Sequence, residues 1–196
     1  MFGIVLISIC TLMHVYIFWR AASVPFVSRY VSQGFLLGIS LFLWAILVAG
    51  RFYGHGNRGT LAWTLEIIGM TWIGVLLVVF VCLLAADVIT GFGFLWPRCT
   101  PLFRGWALLV GGFLSGVALV QGIRPPVIEH YEVTLARLPA EMDGTVVVGM
   151  SDWHVGSLIS DRWLAARVAQ TQAQRPDLVV LLGDLFEGHG QPADDT

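Results

Sequence analysis

Four long runs without a charged residue dominate the first 123 positions: Phe2–Trp19, Tyr30–Gly50, Ile67–Ala86 and Gly105–Ile123. A membrane crossing needs about 20 predominantly apolar residues, since the hydrocarbon core is ~30 Å thick and a helix rises ~1.5 Å per residue. Each run therefore predicts a membrane-spanning helix, the one conformation that satisfies every backbone amide within its own segment. After the chain start, every run is bounded by Arg20, Arg29, Arg51, Glu66, Asp87, Arg104 or Arg124. Trp19, Tyr30, Phe52, Tyr53, Trp96 and Trp106 sit near the run ends, at the depth that amphipathic rings prefer. Nothing basic precedes the first run and it is long for a signal-peptide core, so it is read as a retained span.

The pattern changes after Arg124-Pro125-Pro126, which ends the fourth span because proline cannot continue a helix. Val127–Leu138 reads as extended, and Leu138-Pro139 with Asp143-Gly144 closes it. Thr145–Met150 holds three consecutive valines and suits a strand buried on both faces. Ser160 can cap a helix beginning at Asp161, with Leu164, Val168 and Thr171 on one face and Arg162, Gln170 and Gln174 elsewhere. Pro176 stops that helix, and Val179–Leu182 reads as a second buried strand. A strand, a helix and a strand in this order predict a parallel pair joined by a right-handed crossover.

Composition sharpens the division. The chain is 57% hydrophobic and 12% charged, against about 25% charged in soluble domains. Residues 1–123 carry eight charged side chains, and residues 124–196 carry sixteen, five arginines against eleven acids. The expected organisation is a four-helix transmembrane region at 1–123, an extended lead-in at 124–144 and a soluble part at 145–196. Arg20, Arg29, Arg98 and Arg104 fall on one side of a four-span bundle, and Arg51, Arg58 and Arg124 on the other. By the positive-inside rule this leans toward both termini, and the soluble part, lying outside the cytoplasm of a multi-pass cell-membrane protein.

Several chemistries drop out. The chain has no lysine, so a Walker A loop and Schiff-base catalysis are excluded. Cys10, Cys82 and Cys99 form no C-x-x-C pair. Ser151 in Gly149-Met150-Ser151-Asp152-Trp153 lacks the second glycine of a nucleophile elbow. His14 and Glu66, the ionisable groups in or beside the spans, are read as a neutral imidazole bonding a neighbouring helix and an interfacial carboxylate. Transport relays need paired groups, and no inverted repeat is visible. No nucleic-acid partner is indicated; the lipid bilayer is.

The remaining chemistry lies where the two strands end. The first runs into Ser151-Asp152-Trp153-His154-Val155-Gly156 and the second into Gly183-Asp184-Leu185-Phe186-Glu187-Gly188. Ligands of open α/β layers bind at the carboxyl ends of strands, so Asp152, His154 and Asp184 should converge. Two carboxylates and an imidazole suit zinc, manganese or iron better than calcium.

Val148–Gly156 together with Pro176-Asp177-Leu178-Val179-Val180-Leu181-Leu182-Gly183-Asp184 resembles the calcineurin-like metallophosphoesterases, most closely their membrane-anchored bacterial branch. The resemblance covers about residues 124–190 and includes the Leu138-Pro139 and Asp143-Gly144 lead-in. It implies the β-α-β start of a four-layer α/β sandwich, truncated here, behind a multi-pass α-helical membrane bundle. It implies hydrolysis of a phosphoester at two divalent metal ions (manganese, iron or zinc). Asp152 and His154 would bind the first ion and Asp184 would bridge both. The family's later G-N-H-[DE] and G-H-x-H motifs are absent, and His189 follows Gly188 too closely to replace them. The second ion's ligands and the acid for the leaving group are therefore missing, no catalytic residue is identifiable, and the expectation is an inactive N-terminal fragment with residues 191–196 disordered. The competing expectation is a non-enzymatic four-span membrane protein with a small α/β interaction stub.

Overall fold

The computed structural model of the chain describes residues 2–54, 59–153 and 161–184. It divides into two compact units, Met1–Pro125 and Pro126–Thr196.

The first unit is built from α1 (Phe2–Ala22), a short α2 (Pro25–Tyr30), α3 (Gln33–Ala49), α4 (Thr60–Ile89) and α5 (Thr100–Gly122). A π turn at Gly50–Gly54 prolongs α3. Four of these segments are long and apolar enough to cross a membrane: Gly3–Ala22, Gln33–Gly54, Thr60–Ile89 and Thr100–Gly122. α4 packs against α1, α3 and α5. Its buried face (Ala62, Glu66, Gly69, Leu76, Leu83 and Ala86) recurs at steps of three, four or seven residues, the repeat of one helical stripe. Cys10, His14, Ile17 and Ala21 on α1 and Arg104, Ala107, Gly111 and Ser115 on α5 follow the same rule.

Small residues dominate these seams because helices in lipid gain from close backbone approach rather than from expelling water. Gly50 illustrates it: a Cβ there would collide with the Leu65 carbonyl oxygen, and its Cα already lies close to Gly69. At Gly111 an added Cβ would stand 3.1 Å from the Val79 Cα.

The spans run past the boundaries expected of them. Arg20 belongs to α1, Arg104 to α5, and both Glu66 and Asp87 to α4. Rather than ending the spans, Glu66, Asp87 and Arg104 are buried within their helices, and Arg20 is largely covered. Asp87 is fully buried. Its carboxylate lies 2.6 Å from Arg20 Nε and 2.7 Å from Arg104 Nε, and accepts a 2.5 Å hydrogen bond from the Tyr16 hydroxyl. Arg104 Nη1 also donates to Ser23 Oγ at 3.2 Å. The cluster thus joins α1, α4, α5 and the α1–α2 turn. Glu66 is buried where Gly54 of the π turn packs on it.

A second polar node lies deeper. The Trp72 indole N–H points to His14 Nδ1 at 3.4 Å, which leaves Nε2 to carry the proton. Nε2 is 2.9 Å from Ser40 Oγ and 3.0 Å from the Ser40 carbonyl oxygen. The neutral imidazole so links α1, α3 and α4, as its isolation in the sequence suggested.

The second unit contains β1 (Val147–Met150), α6 (Asp161–Gln172) and β2 (Leu178–Leu181). The strands are parallel, with Val147 opposite Leu178 and Met150 opposite Leu181. The Asp177 carboxylate accepts from the Val146 amide at 2.8 Å and anchors the start of the pair. Two expectations change. Neither strand is buried on both faces: Val147, Leu178, Val179 and Leu181 are exposed among the described residues, because α6 is too small to cover more than part of one face. On α6, Val168 is exposed, while Trp163, Leu164, Arg167, Gln170 and Thr171 are partly covered. Gln170 Nε2 bonds the Pro126 carbonyl oxygen at 3.2 Å, and Thr171 lies 3.2 Å from Met150 Sδ. The segment 127–138 pairs with no strand among the described residues. The Ser160 cap and residues 185–196 lie outside the described residues.

Asp87→Asn should leave two guanidinium groups in the bundle without a counter-charge and cost about 3–5 kcal/mol. His14→Leu removes one interhelical node and should cost about 1 kcal/mol. Unfolding of the detergent-solubilised protein, followed by tryptophan fluorescence, should rank the variants in that order; the reverse order would contradict the assignment of Asp87 as the bundle's electrostatic centre.

Candidate metal centre

Both strands of the second unit end in the same way. β1 passes through Ser151 to Asp152, and β2 passes through Leu182 and Gly183 to Asp184. Asp152 has φ 56° and Asp184 has φ 50°. This left-handed region is closed to most side chains, but Asp enters it at modest cost because its short carboxylate bonds locally. Gly183, with φ 119°, occupies a conformation that needs the missing Cβ. Each strand thus bends sharply at its carboxylate.

The ladder shifts at this point. With Met150 opposite Leu181, a regular parallel pattern would send the Asp152 amide to the Leu182 carbonyl oxygen. It instead donates to Gly183 O at 3.3 Å, just beyond the regular bond from the Leu182 amide to Met150 O at 2.7 Å. The slip of one residue brings Asp152 level with Asp184. Neighbouring strands lie about 4.8 Å apart, so the two carboxylates arise from adjacent backbone positions. Arg137, at φ 73°, and Arg175, at φ 50°, adopt the same left-handed region elsewhere in the unit, so the slip rather than the φ angle distinguishes the tips.

His154, the third expected ligand, lies outside the described residues. No group of three or more His, Cys, Asp or Glu side chains converges among the described residues; the pair at the strand tips is two acids. Beside it, Trp153 packs edge-on against Trp163 of α6, with ring centroids 6.4 Å apart, and the Arg167 guanidinium lies 5.5 Å from the Trp163 ring centre. Sequence pattern alone does not mark these aromatic rings as a pair. Their only signal there was a tryptophan between two candidate ligands.

No family model matches the chain, and no solved structure matches it. Curated proteins do. A transmembrane protein with metallophosphoesterase domain from Danio rerio is 31% identical over 81 residues, which is 41% of this chain and 18% of that protein. The protein of the same description from Bos taurus is 33% identical over 81 residues, again 41% of this chain and 18% of the relative. The chain is similar to transmembrane proteins with a metallophosphoesterase domain. The aligned stretch spans less than a fifth of either relative's length. Four apolar helices together with this similarity support a membrane location.

The one-residue slip makes a direct prediction. In Asp152→Cys/Asp184→Cys protein held in lipid, mild oxidation should close an intrachain disulfide, whose Cα–Cα span is usually about 4.4–6.8 Å. Asp152→Cys/Asp177→Cys, with the second thiol at the other end of the sheet, should not cross-link. Equal cross-linking of both pairs, read by mass spectrometry, would contradict the tip geometry.

Proposed function

We propose that this chain joins a four-helix membrane anchor to the opening β-α-β unit of a metal-dependent phosphoesterase of the calcineurin-like family. The observation that carries the reading is the pair of carboxylates, Asp152 and Asp184, brought level at the ends of adjacent parallel strands by left-handed backbone and a slipped hydrogen bond. The named relatives support the same reading. The proposed division is membrane anchor at 1–123, lead-in at 124–144 and phosphoesterase start at 145–196. The Leu138-Pro139 and Asp143-Gly144 lead-in supports placing it in the membrane-anchored bacterial branch.

The donor set fits a divalent cation. Two carboxylates on neighbouring backbone positions repel each other, and a shared cation relieves that repulsion. Oxygen donors from Asp152 and Asp184 with an imidazole nitrogen from His154 suit manganese, iron or zinc. Asp152 and His154 would hold one ion, and Asp184 would lie between two. Bound there, such ions polarise a phosphoryl oxygen and lower the pKa of a bound water. The chain's own contribution is positional. Gly183 lets the second strand turn, the Gly183 carbonyl holds the Asp152 amide, and the Trp153–Trp163 contact braces the backbone beside the first ligand. The substrate class under this reading is a phosphoester, and the soluble part lies on the extracytoplasmic face.

Titration of the lipid-reconstituted protein with Mn2+, followed by loss of the free-ion electron paramagnetic resonance signal, tests the proposal. Asp184→Asn should weaken binding at least about tenfold, the ratio that 1.4 kcal/mol corresponds to. Unchanged Mn2+ affinity in Asp152→Asn/Asp184→Asn protein would refute it.

A further inference from the structure

The Asp87 cluster has more donors than its acceptors can use. Each guanidinium carries five N–H donors in a planar fork. Arg104 spends Nε on Asp87 and Nη1 on Ser23. Arg20 Nε is buried 2.6 Å from Asp87, yet is aligned for a hydrogen bond with neither that carboxylate nor another protein group. One carboxylate therefore answers two cations in a buried setting, where an uncompensated charge costs several kcal/mol.

The surrounding chain adds cations and no acid. The segment from Arg20 to Tyr30 and the segment from Val88 to Arg104 contain Arg20, Arg29, Arg98 and Arg104, and neither contains Asp or Glu. The cluster also reaches the bundle rim. The Arg20 guanidinium carbon lies 4.1 Å from the Trp19 ring centre, and Trp19 is 62% exposed. The connector after α4 presents Phe92, Phe94, Leu95 and Trp96, all exposed. Exposed aromatic rings beside arginines mark the depth of the lipid headgroups.

We propose that this end of the bundle binds the phosphate of an anionic phospholipid headgroup, with Arg20 and Arg104 as its principal donors. Guanidinium forks match phosphate oxygens bidentately, and basic pockets between membrane helices are suited to headgroup binding. The phosphate supplies the second negative charge that the Arg20–Asp87–Arg104 triad lacks. The shortage of acids sets the headgroup class: the ammonium of a zwitterionic lipid would find no carboxylate outside Asp87, which is fully buried and already engaged.

The test uses the full chain in nanodiscs of mixed phosphatidylglycerol and phosphatidylcholine, with retained lipid counted by native mass spectrometry. Wild-type protein should retain phosphatidylglycerol over phosphatidylcholine by about tenfold, the ratio one charge-assisted bond supports. Arg20→Gln should abolish the preference. Arg20→Lys keeps a cation beside Asp87 but loses the fork, and should reduce the preference while leaving the fold intact, which covers the case in which Arg20→Gln fails to fold. Added inorganic phosphate should not displace the lipid. Equal retention of both lipids by wild type, an unchanged preference in Arg20→Lys, or full displacement by inorganic phosphate would overturn the proposal.

Discussion

An ionisable side chain in hydrocarbon has to be neutralised by a partner, and the bundle is organised around one such obligation. Asp87 sits at the end of the central helix with no exposure. Its carboxylate meets Arg20 from the first helix, Arg104 from the last and the Tyr16 hydroxyl. A charge withdrawn from water costs several kcal/mol when it is left without a partner. A carboxylate shared by three helices offsets that cost and fixes their rotation at the same time. The Gly111–Val79 contact lets α5 approach α4 closely on the same pair of helices, and Gly50 against Gly69 does the same for α3 and α4. His14 repeats the device without charge, one neutral ring joining three helices.

The second unit obeys a different constraint. A two-stranded sheet with one helix buries little apolar surface, and its geometry is dictated locally by backbone bonds. Asp177 fixes the start of the strand pair and the Asp152–Gly183 bond fixes its end. Between these points the register is regular. Among the described residues, the ladder departs from that register at the Asp152 amide, beside two acids with left-handed backbone. Left-handed backbone also occurs at Arg137 and Arg175 in this unit, so what sets the tips apart is the slipped bond that brings two carboxylates level.

The sequence was legible where physics is local. Uncharged runs of membrane length located all four spans, and the strand–helix–strand order predicted the parallel pair. Span ends were not legible. Treating Arg20, Asp87 and Arg104 as terminators is sound for isolated charges, and it fails for charges paired across helices; Glu66 is likewise buried inside α4. Tyr16 and Asp87 are 71 residues apart and Arg104 is 17 from Asp87, so no window along the chain reveals the triad. On α6, apolar spacing favours Val168 as an inward position, whereas the partly covered residues include Arg167, beside the Trp163 ring, and Gln170, bonded to the Pro126 carbonyl oxygen. The tip acids stand out in the sequence by their place after each strand. The slip that brings them level was invisible, because it depends on the φ angles of Asp152, Gly183 and Asp184 together.

The cation proposed for the two strand tips would reveal itself by paramagnetic broadening in the amide spectrum of the isotope-labelled protein in lipid. At substoichiometric Mn2+, the signals of Asp152, Trp153, Gly183 and Asp184 should vanish first, while those of Val146 and Asp177 at the far end of the sheet persist. Uniform fading along both strands, or loss confined to acids elsewhere in the second unit, would contradict the account.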